Sequence, residues 1–434
     1  MPKNTYHLIS LGCAKNTVDS HRVAEILNWA GMKFSANTDD AEFLIVNTCG
    51  FIQAARDEAL QILDDLGRKK HSGQYLLAVG CMAENNGELI VQCCPNVDGI
   101  LGTRKITDIL QLMKRVSENT TLPVSDFKDL PNSQVAVEGP SAYLKIADGC
   151  NRCCGFCSIP IIKGNWHSRS EEEILADALR LRDLGVKEIN LIAQDTTAYG
   201  LDLGLRDALP SLVQKISQTV PDVPWIRLLY AFPGYVSDNL IDVIASTPNV
   251  VKYLDIPLQH GHAEMLKRMH RPDDLAWVRS TIAKMRTRIE GLAIRSTFIV
   301  GYPNETEEEF KALVDFLEEM RFDRVGVFKY SFEPGTFSAS LGDTVPEKTK
   351  QNRYDRLMKI QQRISKQINR TFVGQTLDVL IEGREQDLLI GRTYRDAPEV
   401  DCAVFVEGKV PIGSIIPVKI HTALEYDLIG KAVI

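Results

Sequence analysis

Residues 149–160 read GCNRCCGFCSIP. Cys150, Cys154 and Cys157 stand in a C-x3-C-x2-C spacing just after YLKIA (143–147), an apolar run with the character of a buried strand. Thiolates are the usual ligands of iron–sulfur clusters, and a four-iron cluster normally takes four of them. Three cysteines on one loop therefore leave one iron open to another molecule. S-adenosylmethionine requires such an iron: it chelates there through its amino and carboxylate groups and is reductively cleaved. Three alternatives stay open on spacing alone. Cys153 offers a second register, C-x2-C-x3-C with the same outer cysteines. Close-set cysteines also suit zinc, although structural zinc sites usually draw their ligand pairs from separate places. Inert core thiols are the third reading.

Outward from this loop a pattern repeats. EINLIA (188–193), WIRLLYA (225–231), KYLDIPL (252–258), AIRSTFIV (293–300) and RVGVFKY (324–330) read as further strands with helical stretches between them. Ser170 and Glu173 have the spacing of a capping box at the start of one such helix. Six strand–helix units predict an incomplete (β/α)6 barrel over residues 141–371, which a long basic helix from about Pro346 to Arg370 then leaves, its basic residues reading as a solvated face. Chemistry in such barrels gathers at the strand carboxyl ends.

Residues 1–117 carry a second α/β pattern. TYHLISLG (5–12), EFLIVNT (42–48) and YLLAVG (75–80) read as buried parallel strands followed by helices, a doubly wound arrangement. Each strand runs into a cysteine: Cys13, Cys49 and Cys81. Parallel strands share one carboxyl edge, so cysteines distant in sequence meet there if the strands are read correctly. Residues 118–140 are polar and aperiodic and read as a linker. Residues 372–434 form five short apolar runs broken by Gly, Pro and Asp, which predicts a small antiparallel, OB-like β-barrel. The fold class is α/β with a β appendage.

The chain has 434 residues, 10 cysteines and a formal net charge of −7. That charge argues against phosphate-backbone binding as the main task and suits a basic protein partner. No apolar run approaches the ~20 residues of a membrane span. MPKNTYHLISLGC lacks a secretory signal pattern, so the expected location is cytoplasmic, with cysteines serving metal or redox chemistry rather than disulfides.

SLGCAKNTVDS (10–20), VNTCGFI (46–52), VGCMAE (79–84), GCNRCCGFCSIP, LIAQDTTAYG (191–200), PLQHGH (257–262) and STFIVGYPNET (296–306) together resemble the methylthiotransferase family of radical S-adenosylmethionine enzymes, over essentially the whole chain. The resemblance implies two 4Fe-4S clusters. Cys150, Cys154 and Cys157 would hold one, leaving Cys153 spare. Cys13, Cys49 and Cys81 would hold the other, whose open iron carries the sulfur to be transferred. It implies two uses of S-adenosyl-L-methionine: one molecule donates a methyl group, and one yields the radical that removes hydrogen from an unactivated carbon. It makes the C-terminal barrel a TRAM domain. Cofactor contacts would come from Phe156 and Ile159 beside the adenine, Gln194 and Asp195 near the methionyl amine, Arg227 near the methionyl carboxylate, and Val300 in the ribose-side loop. Each also has a plain structural reading, as core aromatic, loop cap or ion pair. His260 reads either as a substrate-positioning group or as a satisfied loop histidine, and Cys93 and Cys94 read as core thiols.

GRTYRDAPEVD (391–401) is similar to a signature of the subgroup that modifies a small-subunit ribosomal protein. The implied target is the β-carbon of an aspartate in small-subunit ribosomal protein twelve, met free or within the ribosome. A sulfur donor and a low-potential electron donor are implied as partners. Residues 372–434 hold ten acidic residues against six basic ones, which suits a basic protein and speaks against tRNA. Cys402 stands where the signature leads one to expect glycine. The rival readings are methylthiolation of a tRNA adenosine and a non-catalytic iron–sulfur protein that binds the ribosome.

Overall fold

The computed structural model describes residues 4–117 and 130–433, so most of the expected linker lies outside the described residues. The three N-terminal apolar runs form strands Thr5–Ser10, Phe43–Thr48 and Tyr75–Gly80, joined by Lys33–Phe34 and Gly99–Gly102 in a five-stranded parallel sheet. Phe43–Thr48 is buried along its whole length, as an all-apolar central strand covered on both faces must be. Helices Ala14–Trp29 and Ile109–Val116 pack on one face, and Gln53–Lys69 and Gly87–Cys93 on the other.

The six expected barrel strands are Ser141–Lys145, Glu188–Ile192, Trp225–Leu228, Val250–Asp255, Ala293–Val300 and Arg324–Lys329, neighbours in chain order and all parallel. A seventh strand, Val135–Glu138, lies antiparallel beside the first. It corrects the linker reading of 118–140: four residues are too short for an alternation to stand out, and only pairing with Ser141–Lys145 fixes them. An open barrel leaves its concave face uncovered, and both flanking domains fill it. Tyr143, Ile192, Trp225 and Tyr253 of the strands share one apolar cluster with Ala14 and Val18 of the N-terminal domain and Leu380 and Ala397 of the C-terminal one.

Local signals hold with amendments. Ser170 Oγ accepts from the Glu173 amide at 3.3 Å, but the Glu173 carboxylate accepts from Asn132 instead of returning the bond, so the box is half formed. The reciprocal box is at Thr306 and Glu309. In helix Glu347–Arg370, Lys350 and Arg353 are buried on Asp343 and Glu305, so its basic face is not wholly solvated. Cys94 is buried, whereas Cys93 is exposed rather than a core thiol.

Residues 376–432 close into a five-stranded barrel. Four of its pairings are antiparallel and one, Val404–Glu407 with Leu428–Ala432, is parallel. An odd number of strands cannot close a ring without a like-directed pair.

The GRTYRDAPEVD signature faces inward. Arg392 donates to Glu188 and Glu382, both at 2.6 Å, and Arg324 reaches Asp396 at 2.6 Å. Arg395 pairs with Asp323, and Asp401 accepts from Tyr253 Oη at 2.7 Å and Arg295 Nε at 3.2 Å. Burial would raise the Glu188 carboxyl, but Arg392 and Arg227 outweigh it and hold it at about 2. Several acids counted toward an outward acidic surface thus serve as cement between domains. The turn strain falls on Glu399, at φ 66°, and not on Cys402. A side chain is accommodated at 402, where burial pushes the thiol up to about 12.

Candidate functional site

Register brings the N-terminal cysteines together. Ser10 pairs with Asn47, and Thr48 with Gly80, so Cys49 and Cys81 leave adjacent strands at one level and Cys13 follows a short turn beyond Ser10. Cys13 caps helix Ala14–Trp29 and Cys81 opens helix Cys81–Asn85, placing both at helix N-termini that favour negative charge. Gly12 has φ 95°, and a Cβ there would lie 2.7 Å from Cys49 Cβ, so only glycine lets the first and second loops meet. Asn16 stitches the loops: its amide donates to the Leu11 carbonyl at 2.6 Å and the Thr48 carbonyl at 3.3 Å, and its Oδ1 accepts from Cys81 Sγ at 3.5 Å.

The second triad follows the first barrel strand. Gly149, at φ 75°, turns the chain tightly against the Asn165 carbonyl, and the Cys150 amide bonds the Gly164 carbonyl at 3.1 Å. The Gly155 amide reaches the Met269 carbonyl at 2.8 Å, and Ser338 N donates to the Gly155 carbonyl at 2.7 Å, pinning the loop to two distant segments. Cys150, Cys154 and Cys157 act on one another's charge, whereas Cys153 is exposed. Burial pushes both Cys157 and Cys81 up to about 12. Any metal bound through these thiols would have to displace their protons.

A buried charge cluster joins the triads. Asp19, on the helix that Cys13 caps, accepts from Lys145 and Lys163 of the barrel, each at 2.5 Å. Asp148 takes the other side of Lys145 at 3.0 Å. Burial works against both carboxylates, yet Lys145 and Lys163 outweigh it and hold them below the usual range. Lys163 also acts on the Cys81 thiol, and Cys13 on Tyr230 beyond the third barrel strand. The two triads therefore share one seam. Asn16 and Asp19 lie within the quoted SLGCAKNTVDS, but their roles appear only once the partners are in place.

Gln194 donates to Asp148 at 2.9 Å, and its buried Oε1 has no partner among the described residues. Asp195 is buried, accepting from Arg152 Nε at 2.8 Å and the Thr197 amide at 3.0 Å. Arg152 stacks on Phe232 and Tyr235, and among the described residues its buried Nη2 has no hydrogen-bond partner. A cavity of about 200 Å³ beside Cys150 is lined by Arg152, Trp166 and Asp195. Buried polar atoms are rarely left unpaired, so these fit a polar ligand such as an aminocarboxylate. Phe156 packs beside Met265, Met269 and Tyr302, Ile159 starts the helix after Cys157, and Val300 is fully buried with its carbonyl bonded to the Tyr330 amide.

Arg227 turns elsewhere, although its buried Nη2 likewise has no partner among the described residues. Its guanidinium donates to Glu188 at 2.8 Å and to the Tyr394 carbonyl at 2.7 Å, inside the interface with the C-terminal barrel. Register explains this: Arg227 lies opposite Asn190, in mid-strand and below the carboxyl edge. His260 is fully buried, with Nε2 3.0 Å from Glu305 and Nδ1 taking the His262 amide, so it is a satisfied core histidine.

Comparison with known proteins follows the same divisions. Residues 5–102 match the profile of the uncharacterized protein family UPF0004, residues 144–317 the radical SAM superfamily, and residues 373–433 the TRAM domain. The ribosomal protein uS12 methylthiotransferase RimO of Roseiflexus sp. (strain RS-1) is 44% identical, across 99% of this chain and 97% of that relative. The protein of the same name from Chloroflexus aurantiacus is 43% identical, across 98% and 99%. Among solved structures, the radical S-adenosylmethionine methyltransferase TsrM from Kitasatospora setae, with cobalamin and a [4Fe-4S] cluster bound, aligns with TM-score 0.57 at 12% identity, over 86% of this chain and 77% of that one. At that identity the likeness speaks to fold alone.

Proposed function

This chain belongs to the ribosomal protein uS12 methylthiotransferases of the radical SAM superfamily, and on that premise we propose that it adds a methylthio group to the β-carbon of an aspartate of uS12. What carries the reading is two three-cysteine sites opening on one seam, joined through Asp19, Lys145 and Lys163. Cys150, Cys154 and Cys157 would hold one 4Fe-4S cluster with S-adenosylmethionine on its open iron, and Cys13, Cys49 and Cys81 a second. When bound, these groups supply the reductive cleavage and the transferable sulfur.

The chain's own residues bind and orient. Gln194 Oε1 and Arg152 Nη2 are the buried polar atoms ready for the methionyl end. Asp195 acts through Arg152 by fixing its guanidinium. Phe156, Ile159 and Val300 form the apolar side for the adenosine. Arg152, rather than Arg227, is the guanidinium beside the triad. The barrel strands and the N-terminal sheet exclude water from the seam and hold reactants in contact. An activity on a ribosomal protein belongs in the cytoplasm, and it needs a sulfur donor and a low-potential reductant. Among the described residues no helix is long and apolar enough to cross a membrane.

The test is anaerobic reconstitution with S-adenosylmethionine, reductant and either ribosomes or bulk tRNA, followed by mass spectrometry. The expected result is a methylthio mass gain on one aspartate of uS12. A gain on a tRNA adenosine would replace the substrate, and absence of 5′-deoxyadenosine would replace the enzyme with a binding protein.

A further inference from the structure

Lys15 is a cation of the seam that, among the described residues, has no carboxylate partner of its own. It lies on the first turn of helix Ala14–Trp29, two positions beyond Cys13, and among the described residues its ammonium makes no hydrogen bond or ion pair. Its contact is the face of Tyr230, 3.1 Å from the ring centroid. The charged groups that act on it are Cys13, Asp255, Asp148 and Lys163. Both carboxylates are already claimed: Asp255 by Arg295 at 3.2 Å, and Asp148 by Lys145 at 3.0 Å. Of the other cations here, Arg152 pairs with Asp195 at 2.8 Å and Lys163 with Asp19 at 2.5 Å, while Arg271 donates to Cys154 Sγ at 3.5 Å and to the Pro257 carbonyl.

Tyr230 is built to hold this arrangement. Its backbone is left-handed, at φ 62°, an unfavourable conformation for a bulky side chain. Its amide donates to Asp255 Oδ2 at 3.2 Å, and its carbonyl accepts from the Thr196 amide at 3.0 Å. Those bonds turn the ring at the end of the third barrel strand toward the N-terminal domain, beneath Lys15. A partly buried ammonium with only a ring face is costly unless an anion completes it.

We propose that Lys15, seated on Tyr230, binds the carboxylate of the side chain being modified, and so makes the enzyme specific for an acidic residue. The inference rests on the function proposed above. In an aspartate the β-carbon is bonded directly to the carboxyl carbon. An ion pair at Lys15 therefore sets that carbon beside Cys13, on the seam that the Cys150 loop also lines. Lys15 forms no covalent bond; it is a positioning and specificity residue.

The experiment uses the full-length reconstituted enzyme with uS12 and with uS12 whose target aspartate is replaced by asparagine. Wild type, Lys15→Gln and Lys15→Arg are compared for iron content, KM and kcat. The wild type should favour the aspartate form, and Lys15→Gln should raise KM for it by about 10- to 100-fold, the worth of one charge-assisted hydrogen bond. The aspartate-to-asparagine preference should collapse in Lys15→Gln and be restored in Lys15→Arg. An unchanged preference in an iron-replete Lys15→Gln overturns the inference, as does a loss of iron with the preference intact, which would assign Lys15 to the cluster. Wild type that modifies no uS12 at all refutes the function instead, so the two failures are distinguishable.

Discussion

Cys150, Cys154 and Cys157 come from one loop of eight residues, whereas Cys13, Cys49 and Cys81 come from the ends of three strands. The first triad is fixed by local chain geometry, with Gly149 turning the loop and two amide bonds pinning it. The second exists only if three strands hold register, since a one-residue slip would turn every side chain on a strand to the opposite face. Helix N-termini stand behind Cys13 and Cys81, and Asn16 ties the loops that carry all three thiols. The contrast teaches that two cysteine triads can differ in what destroys them: a local one by its own residues, a tertiary one also by anything that shifts the sheet.

The largest test of that contrast removes one ligand from each site. Cys154→Ala and Cys49→Ala should each lose about half the bound iron. Only Cys154→Ala should abolish formation of 5′-deoxyadenosine, whereas Cys49→Ala should keep it and lose methylthio transfer. Iron analysis and chromatography of the nucleoside separate these outcomes, and identical phenotypes would end the distinction.

Asp19→Ala acts on what the two sites share. Its carboxylate is buried between Lys145 and Lys163, and breaking a buried pair costs about 3–5 kcal/mol. Denaturant unfolding should show that loss, with both triads loading less iron. Gly12→Ala should cost less, about 1–3 kcal/mol, because a left-handed backbone and contact with Cys49 oppose the new methyl. Iron should be lost from the N-terminal site alone, which tests its dependence on loop approach.

The smallest effect concerns acid. Burial keeps the His260 imidazole below its ordinary value despite the pull of Glu305. The unfolded chain then binds a proton that the folded one refuses, so stability present above about pH 6.5 is lost as pH falls toward the depressed value. His260→Gln should flatten this slope, changing the fall in Tm between about pH 7.5 and pH 5.5 by about 2 °C. The effect belongs to the barrel core and should leave both triads loaded alike.

Much of the fold was legible because its strands are apolar runs of the right length, buried as a covered parallel sheet demands. Val135–Glu138 was not, since a four-residue strand carries too little pattern. The level of Arg227 was not legible, because a strand sequence does not say how far up the barrel a residue sits; pairing opposite Asn190 sets it beside Glu188 and the Tyr394 carbonyl. GRTYRDAPEVD was legible as a motif but not in its direction: Arg392, Asp396 and Asp401 look equally apt for a surface, and only packing against Glu188, Arg324 and Tyr253 turns them inward.

By itself the sequence determined that Cys150, Cys154 and Cys157 share one loop, because eight residues of covalent spacing fix how far apart they can lie. It also determined the order of the three domains, because hydrophobic period is a local property. Tertiary structure decided the rest. It decided that the N-terminal cysteines share one sheet edge, that Asp19 lies between Lys145 and Lys163, and that Lys15 sits over the Tyr230 ring. These are relations between residues far apart along the chain. Their energies depend on burial and distance, and neither quantity exists until the strands have paired and the domains have closed.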